Sequence, residues 1–337
     1  MEGKLSRFAK ASKPSPIQQL SHLAQSSNFI NLAEGFPDFP APTYLKQAAI
    51  SAINSDFNQY RHVQGICEYV AKNARDMQGL EVNPLTDVAI CCGQTEAFAD
   101  VMFAIIDPGD EVILFDPAYE TYEGCILMAG GTPVFVPLDP PYWTLDRDKL
   151  IKACTAKTKV IVLNSPHNPT GKVFSRDELQ VIAEVCYDHD YLAVTDEEAA
   201  LTALTSAPEF YASLRADYES RRDFMVELLS GIGFQIPHKP QGSFFVFAEL
   251  PKEYACSDIY FVEQLIKQAG VVAVPGCGFF HTELQSEGLP ELGPEYHRRY
   301  IRFAFCKSDA TLTAASQRVK ALVDSAGYLK LFSTNEI

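Results

Sequence analysis

Five short apolar runs punctuate the first two-thirds of the chain: Val88–Cys92, Val112–Phe115, Pro133–Val136, Val160–Leu163 and Leu192–Val194. Their near-continuous hydrophobicity suits strands buried on both faces, as in a parallel sheet. Between several of them the apolar positions recur with helical spacing, notably over Thr95–Ile106 and Arg176–His189. That alternation predicts an α/β domain with a mostly parallel sheet. Residues 14–45 read differently: prolines recur, and Glu34-Gly35-Phe36-Pro37-Asp38-Phe39-Pro40 predicts a loop within an irregular stretch.

After residue 198 the pattern changes. Phe210, Leu214, Tyr218, Met225, Leu228 and Leu229 mark one side of a long amphipathic helix that stops near Gly231 and Gly233. A strand-like Gly242–Leu250 follows, then a helix over Asp258–Ala269, strands at Val271–Val274 and Tyr300–Phe305, and a closing helix from Asp309. This second half reads as an α+β unit, and the chain carries no internal repeat, low-complexity tract or flexible linker.

Composition narrows the function classes. The chain has 337 residues, 47% of them hydrophobic, enough for a large core and two domains. A net charge of -15 argues against nucleic acid or an anionic membrane as partner, since either needs a basic patch. No apolar run approaches membrane-spanning length. Met1–Arg7 lacks the apolar stretch of a secretory signal, which points to the cytoplasm; Lys4, Arg7, Lys10 and Lys13 among serines leave organelle import open. Nine cysteines without paired spacing read as reduced, buried thiols, Cys91 and Cys92 among them, and not as disulfides or metal ligands.

Candidate chemistry gathers at the ends of the apolar runs. Gly93-Gln94-Thr95 lies between a strand and a helix, where free backbone N–H groups and the helix dipole favour a phosphate; taken alone, an ordinary turn with Thr95 as N-cap explains it better. Asn168 sits in a Pro-bracketed loop, as turn asparagines do. Asp196 ends a strand at the edge where open α/β sheets present groups to ligands, or caps the next helix. Tyr119 offers a stacking face or a core aromatic. Arg302 alternates with Ile301 and Phe303, and its planar guanidinium suits a carboxylate, unless it is a surface residue of a half-exposed strand.

Their order along the chain carries more than any one of them. Asn31–Phe39, Asn58-Gln59-Tyr60, Asp107–Val112, Asn164-Ser165-Pro166-His167-Asn168-Pro169-Thr170-Gly171-Lys172, Lys239–Phe245, Val274-Pro275-Gly276 and Tyr300–Phe305 together resemble the fold-type I, class I pyridoxal 5'-phosphate (PLP) aminotransferases. Within these, the chain is similar to the group of kynurenine aminotransferase, glutamine transaminase K and methionine aminotransferase. The resemblance implies a PLP-transferase fold with a mostly parallel large-domain sheet and a smaller α+β domain. Residues 1–45 would pack with the small domain, 46–197 would form the PLP-binding domain, and 198–337 the small domain. It further implies that Gly93, Gln94 and Thr95 lie near the cofactor phosphate, that Tyr119 stacks on the ring, that Asn168 bonds the phenolate oxygen and Asp196 the pyridine nitrogen. Gly35 and Arg302 would hold the carboxylate of an amino acid or 2-oxo acid substrate. Tyr60 would reach the neighbouring subunit's phosphate across a dimer.

One departure stands out. In the family, the Asp-Glu that ends this strand continues into a cofactor-binding tyrosine, the Schiff-base lysine and a further basic phosphate contact. Here Glu197 runs directly into Glu198-Ala199-Ala200, and no other lysine fits the position. The catalytic lysine is therefore expected to be absent, with at least one strand–helix–strand unit of roughly 30 residues or more. The expectation is a catalytically impaired, shortened form: a chain that binds PLP weakly, or one that pairs with itself or with a full-length relative.

Overall fold

The computed structural model describes residues 4–6, 9–10, 16–57, 64–196, 208–252, 254, 256–281, 296–323 and 329. Tyr60 and the Glu197–Glu198 junction lie outside them.

A four-stranded parallel sheet in the order β3-β2-β4-β5 forms the first layer system, from β2 (Glu111–Asp116), β3 (Thr132–Pro137), β4 (Thr158–Asn164) and β5 (Leu192–Asp196). Alternate residues serve opposite faces, as the pleat requires. Val112, Leu114, Val160 and Val162 pack with Phe98, Met102, Tyr122 and Ile126 from α4 (Gln94–Ile105) and α5 (Glu120–Ala129). Ile113, Phe115 and Ile161 face the other way, joining Ile182 and Val185 of α7 (Arg176–His189). α6 (Arg147–Ala153) starts at Asp146, whose side chain accepts from two backbone N–H groups, and α7 starts at a Ser175–Glu178 capping box.

The second half is an antiparallel sheet ordered β6-β9-β8, made of β6 (Phe245–Glu249), β8 (Val274–Pro275) and β9 (Tyr300–Ala304). It is flanked by α8 (Pro208–Gly231), α9 (Asp258–Ala269) and α10 (Asp309–Lys320). Near the start of the chain, β1 (Ile30–Asn31) pairs in parallel with β7 (Val271–Val272), and α1 (Pro16–Ser26) packs beside them. Two more helices, α2 (Thr43–Asn54) and α3 (Gln64–Asn73), precede a π-helical turn at Ala74–Gln78.

Three expectations need correcting. Residues 14–45 are not wholly irregular, since α1 and β1 occupy part of them; Pro16 begins the helix, where a missing N–H costs nothing. Val88–Cys92 forms no strand: it belongs to no ladder, because no described segment lies alongside it to supply backbone partners. For the same reason its thiols are not buried. Cys92 is exposed and Cys91 half-buried, although all nine cysteines are free. The sheet's other end shows the matching anomaly. Among the described residues β5 pairs only with β4, and three of its five residues are exposed, whereas β2 and β4 are almost wholly buried.

Candidate active site

The carboxyl ends of β2, β4 and β5 converge on one cavity of about 560 Å³, walled on its far side by β9 and the loop after β1. Gly35, Gln94, Thr95, Tyr119, Asn168, Asp196 and Arg302 all line it, together with Glu34, Phe36, Glu120, Tyr122, Phe244 and Phe245. This is where open α/β sheets present ligand groups.

The Asn164–Lys172 loop is rigid for reasons visible in its hydrogen bonds. His167 Nδ1 lies 2.8 Å from Thr170 Oγ1, Gly171 N donates to His167 O at 2.7 Å, and His167 N donates to Lys172 O at 2.7 Å. Burial and the nearby Lys172 ammonium drive the imidazole pKa down to about 3, so His167 stays neutral. Lys172 ends in a buried ion pair with Glu178, at 2.8 and 3.0 Å, and does not line the cavity. Gly171 adopts φ +70, and a Cβ there would meet Pro240 at 2.6 Å, so the motif's glycine is required twice over.

Asn164, unremarkable in the sequence, fixes two of the candidates at once. Its Oδ1 accepts from Asn168 N at 2.6 Å, and its Nδ2 donates to Asp196 O at 3.1 Å. Arg302 then orients the Asn168 side chain: Nη1 donates to Asn168 Oδ1 at 2.9 Å and Nη2 to Ala33 O at 2.9 Å. Because a guanidinium can only donate, the Asn168 amide must turn its oxygen to Arg302, which commits its NH2 group to the opposite side. Arg302 is no half-exposed surface residue. It is 2% exposed and lies over the rings of Phe245 and Phe279, 4.0 and 4.8 Å from their centroids.

Asp196 is half-buried, and burial raises its pKa, opposed by a hydrogen bond donated by the Tyr122 hydroxyl. Tyr122 lies 74 residues away in sequence, so nothing local marks it as a partner. Tyr119, three residues before it, is the N-cap residue of α5 and stands edge-on to the Tyr122 ring at 5.5 Å. Helix α4 begins with Gly93 as N-cap, not Thr95. Gly93 has φ +91 and supplies no side-chain cap, which leaves the first N–H groups of α4 to a ligand or water. Gly93 does not itself line the cavity, whereas Gln94 and Thr95 do. Gln94 Nε2 is buried without a hydrogen-bond acceptor.

These features suit PLP. An uncapped helix start with an orphaned amide donor beside it fits a phosphate. A half-buried carboxylate beside a tyrosine fits a protonated pyridine nitrogen, and an amide NH2 oriented by Arg302 fits a phenolate oxygen. Gly35 completes the wall; a Cβ on it would lie 2.3 Å from Phe244 Cε2 and 2.6 Å from Phe245 Cζ. No lysine is among the described residues lining the cavity. The described residues hold no group of three His, Cys, Asp or Glu side chains able to bind a metal, and no helix long and apolar enough to cross a membrane.

Comparison with known proteins agrees with this geometry. The family model described as aminotransferase class I and II matches residues 27–198 and 197–318. Human kynurenine–oxoglutarate transaminase 1 is 28% identical over 410 aligned positions, covering 90% of this chain and 95% of that protein. Human kynurenine–oxoglutarate transaminase 3 is 29% identical over 405 positions, covering 90% and 87%. Among solved structures, N-succinyldiaminopimelate aminotransferase from Mycobacterium tuberculosis superposes with a TM-score of 0.82 at 27% identity, over 94% of this chain and 99% of that one. The chain belongs to the class I and II aminotransferases, PLP-dependent enzymes of fold type I that act on amino acids and 2-oxo acids.

Proposed function

We propose that this chain is the cofactor- and amino-acid-binding frame of an aminotransferase of the kynurenine, glutamine or methionine type, and that it is catalytically impaired because it lacks the lysine nucleophile. The observation that carries this reading is the Arg302–Asn168–Asn164–Asp196 hydrogen-bond chain, which ties a carboxylate-binding guanidinium to a ring-binding carboxylate across one cavity.

Bound PLP supplies a ring that withdraws electrons from the α-carbon of an amino acid. Asp196 would pair with the ring nitrogen and favour its protonated form. Asn168 would donate its amide to the ring oxygen, Tyr119 would stack on the ring, and the α4 start with Gly93, Gln94 and Thr95 would take the phosphate. Arg302, with Gly35, would orient the substrate carboxylate. Among the described residues lining the cavity there is no lysine to carry the α-proton. The names of the two human relatives support the kynurenine assignment; the solved N-succinyldiaminopimelate enzyme is the rival for donor specificity. On this reading residues 46–197 form the PLP domain, 198–337 the small domain with residues 1–45 packed on it, and two subunits or a full-length relative share a dimer that includes Tyr60.

The test is a spectroscopic PLP titration followed by borohydride reduction and peptide mapping. Noncovalent PLP binding with no labelled lysine is expected. A single lysine labelled stoichiometrically would refute the impairment, and absence of PLP binding would refute the site.

A further inference from the structure

One cation beside the cavity is buried without an ion-pair partner. Lys307 is 1% exposed, and the carboxylates of Asp38 and Glu34 act on its ammonium through space alone. Lysines are almost never fully buried unless paired, and a methionine of similar length would avoid the desolvation. Both direct contacts of the ammonium are with one residue. Nζ donates to Phe36 O at 2.7 Å and lies over the Phe36 ring, 3.9 Å from its centroid. Phe36 lines the cavity and is 43% exposed, so the ring keeps open surface on the side that Lys307 does not cover. The rest of the loop has ties of its own. Leu32 O accepts from Ala304 N at 2.7 Å and Ala33 O from Arg302 Nη2 at 2.9 Å, while Gly35 is wedged against Phe244 and Phe245. Beyond Phe36, the Asp38 carboxylate accepts from Ser308 N at 2.6 Å and from the Thr311 hydroxyl. Between these ties, Lys307 alone among the described residues makes a hydrogen bond to Phe36.

We propose that Lys307 is a positioning residue for the substrate: by gripping the carbonyl and the ring of Phe36, it fixes that ring as a wall for the substrate side chain and so raises affinity for an aromatic side chain over a short one. Arg302 reaches the same loop at Ala33, three residues before Phe36, so a ligand held by its carboxylate at Arg302 lies beside the Gly35–Phe36 segment. The carbonyl bond is charge-assisted and the ring contact is a cation–π contact, so both depend on the ammonium. Without it, a half-exposed phenylalanine turns among its rotamers, and a ligand stacking on it must order the ring as it binds. A ligand with no ring to place against Phe36 escapes that cost. Arg302 and Gly35 keep their own fastenings, so the carboxylate end of the site is left as it was. The effect on ligand choice rests on the substrate-site reading above; the fastening of Phe36 by Lys307 does not.

The test compares Lys307→Met, which matches the side chain in length but not in charge, with Lys307→Arg, which keeps the cation and alters the size. Phenylpyruvate and pyruvate, which share a 2-oxo acid head and differ by a ring, are titrated calorimetrically into the full chain in the presence of PLP. Lys307→Met should weaken phenylpyruvate about tenfold and leave pyruvate and PLP within about twofold of the parent. Lys307→Arg should recover phenylpyruvate affinity to within about threefold of the parent. A packing role predicts the reverse order, with the methionine variant close to the parent and the arginine variant impaired; that result would overturn the proposal, as would equal losses for both ligands. Amide hydrogen exchange without any ligand reads the loop directly: Gly35 and Phe36 should exchange about tenfold faster in Lys307→Met, with the β9 amides unchanged. Unchanged exchange at Gly35 and Phe36 would also overturn it. Faster exchange in the variant, with neither 2-oxo acid binding even the parent, would overturn the substrate-site reading and leave the fastening of Phe36 standing. If Lys307→Met does not fold, Lys307→Gln, neutral and polar, takes its place with the same expected losses.

Discussion

Tyr122→Phe is the sharpest probe of the cavity's electrostatics, because it deletes one hydroxyl and keeps the ring. Tyr122 is buried among Phe98, Tyr119 and the β2–β4 face, and the phenyl of the variant fills the same space. What is lost is the hydrogen bond to the Asp196 carboxylate. Burial already raises the pKa of Asp196, and the Tyr122 hydroxyl opposes that rise, so the variant's carboxyl should titrate higher still. A hydrogen bond to a charged group contributes about 1.5–3 kcal/mol; Asp196 is only half-buried, so solvent screening favours the lower end, about 1–2 kcal/mol. By the tenfold-per-1.4 kcal/mol rule, PLP affinity at neutral pH should fall about 5- to 30-fold. The sign follows from which form binds. The ionised carboxylate pairs with the protonated ring nitrogen, so affinity is lost as pH falls through the Asp196 pKa, and the loss should begin at a higher pH in the variant. Equilibrium dialysis of PLP between pH 5 and 8 measures both effects. A dissociation constant within about twofold of the parent, with an unmoved pH profile, would refute the role assigned to this pair.

Arg302→Lys keeps the charge but cannot donate at once to Asn168 and Ala33, and it gives up the planar stack on Phe245. Amino-acid affinity in the presence of PLP, measured by calorimetry, should fall about 100-fold, and an effect below about threefold would count against the carboxylate clamp. Gly35→Ala places a methyl against the Phe244 and Phe245 rings, so thermal unfolding should show about 1–3 kcal/mol of destabilisation, and unchanged stability would show that the loop shifts freely. Asp116 is buried with its Oδ1 accepting from His281 N at 3.0 Å, and burial pushes its pKa up to about 7. A carboxyl whose folded pKa is raised holds its stabilising contribution below the unfolded value near 4 and loses it as pH rises to about 7, on the order of 4 kcal/mol. Asp116→Asn should therefore flatten the pH dependence of the thermal midpoint between about 4 and 7, and an identical slope in parent and variant would refute the assignment.

Much of this protein is legible in its sequence, and the reason is local. Strands β2 to β5, helix α7 over Arg176–His189 and helix α9 over Asp258–Ala269 follow from apolar runs and periodicity that each segment carries by itself. So does the rigid Asn164–Lys172 loop, whose prolines, glycine and short polar side chains bond mostly to one another. The order of such motifs is enough to reach the family.

Other features arise only when distant segments meet. Val88–Cys92 has the composition of a buried strand, yet a strand exists only by virtue of a neighbour's N–H and C=O groups, and none is offered among the described residues. Arg302 has the alternation of a half-exposed strand residue, but β6, β8 and the Ala33–Gly35 loop close over it and make it the most deeply held cation of the cavity wall. Tyr122 reads as a helix-face aromatic until β5 brings Asp196 to its hydroxyl, and Asn164 as a strand end until the next strand brings a carbonyl to its amide. The sequence determines which segments coil, extend and turn, because those choices depend on near neighbours. The tertiary structure decides which polar groups face one another, because a charge or an amide takes its role from partners that only the folded chain brings within hydrogen-bond distance.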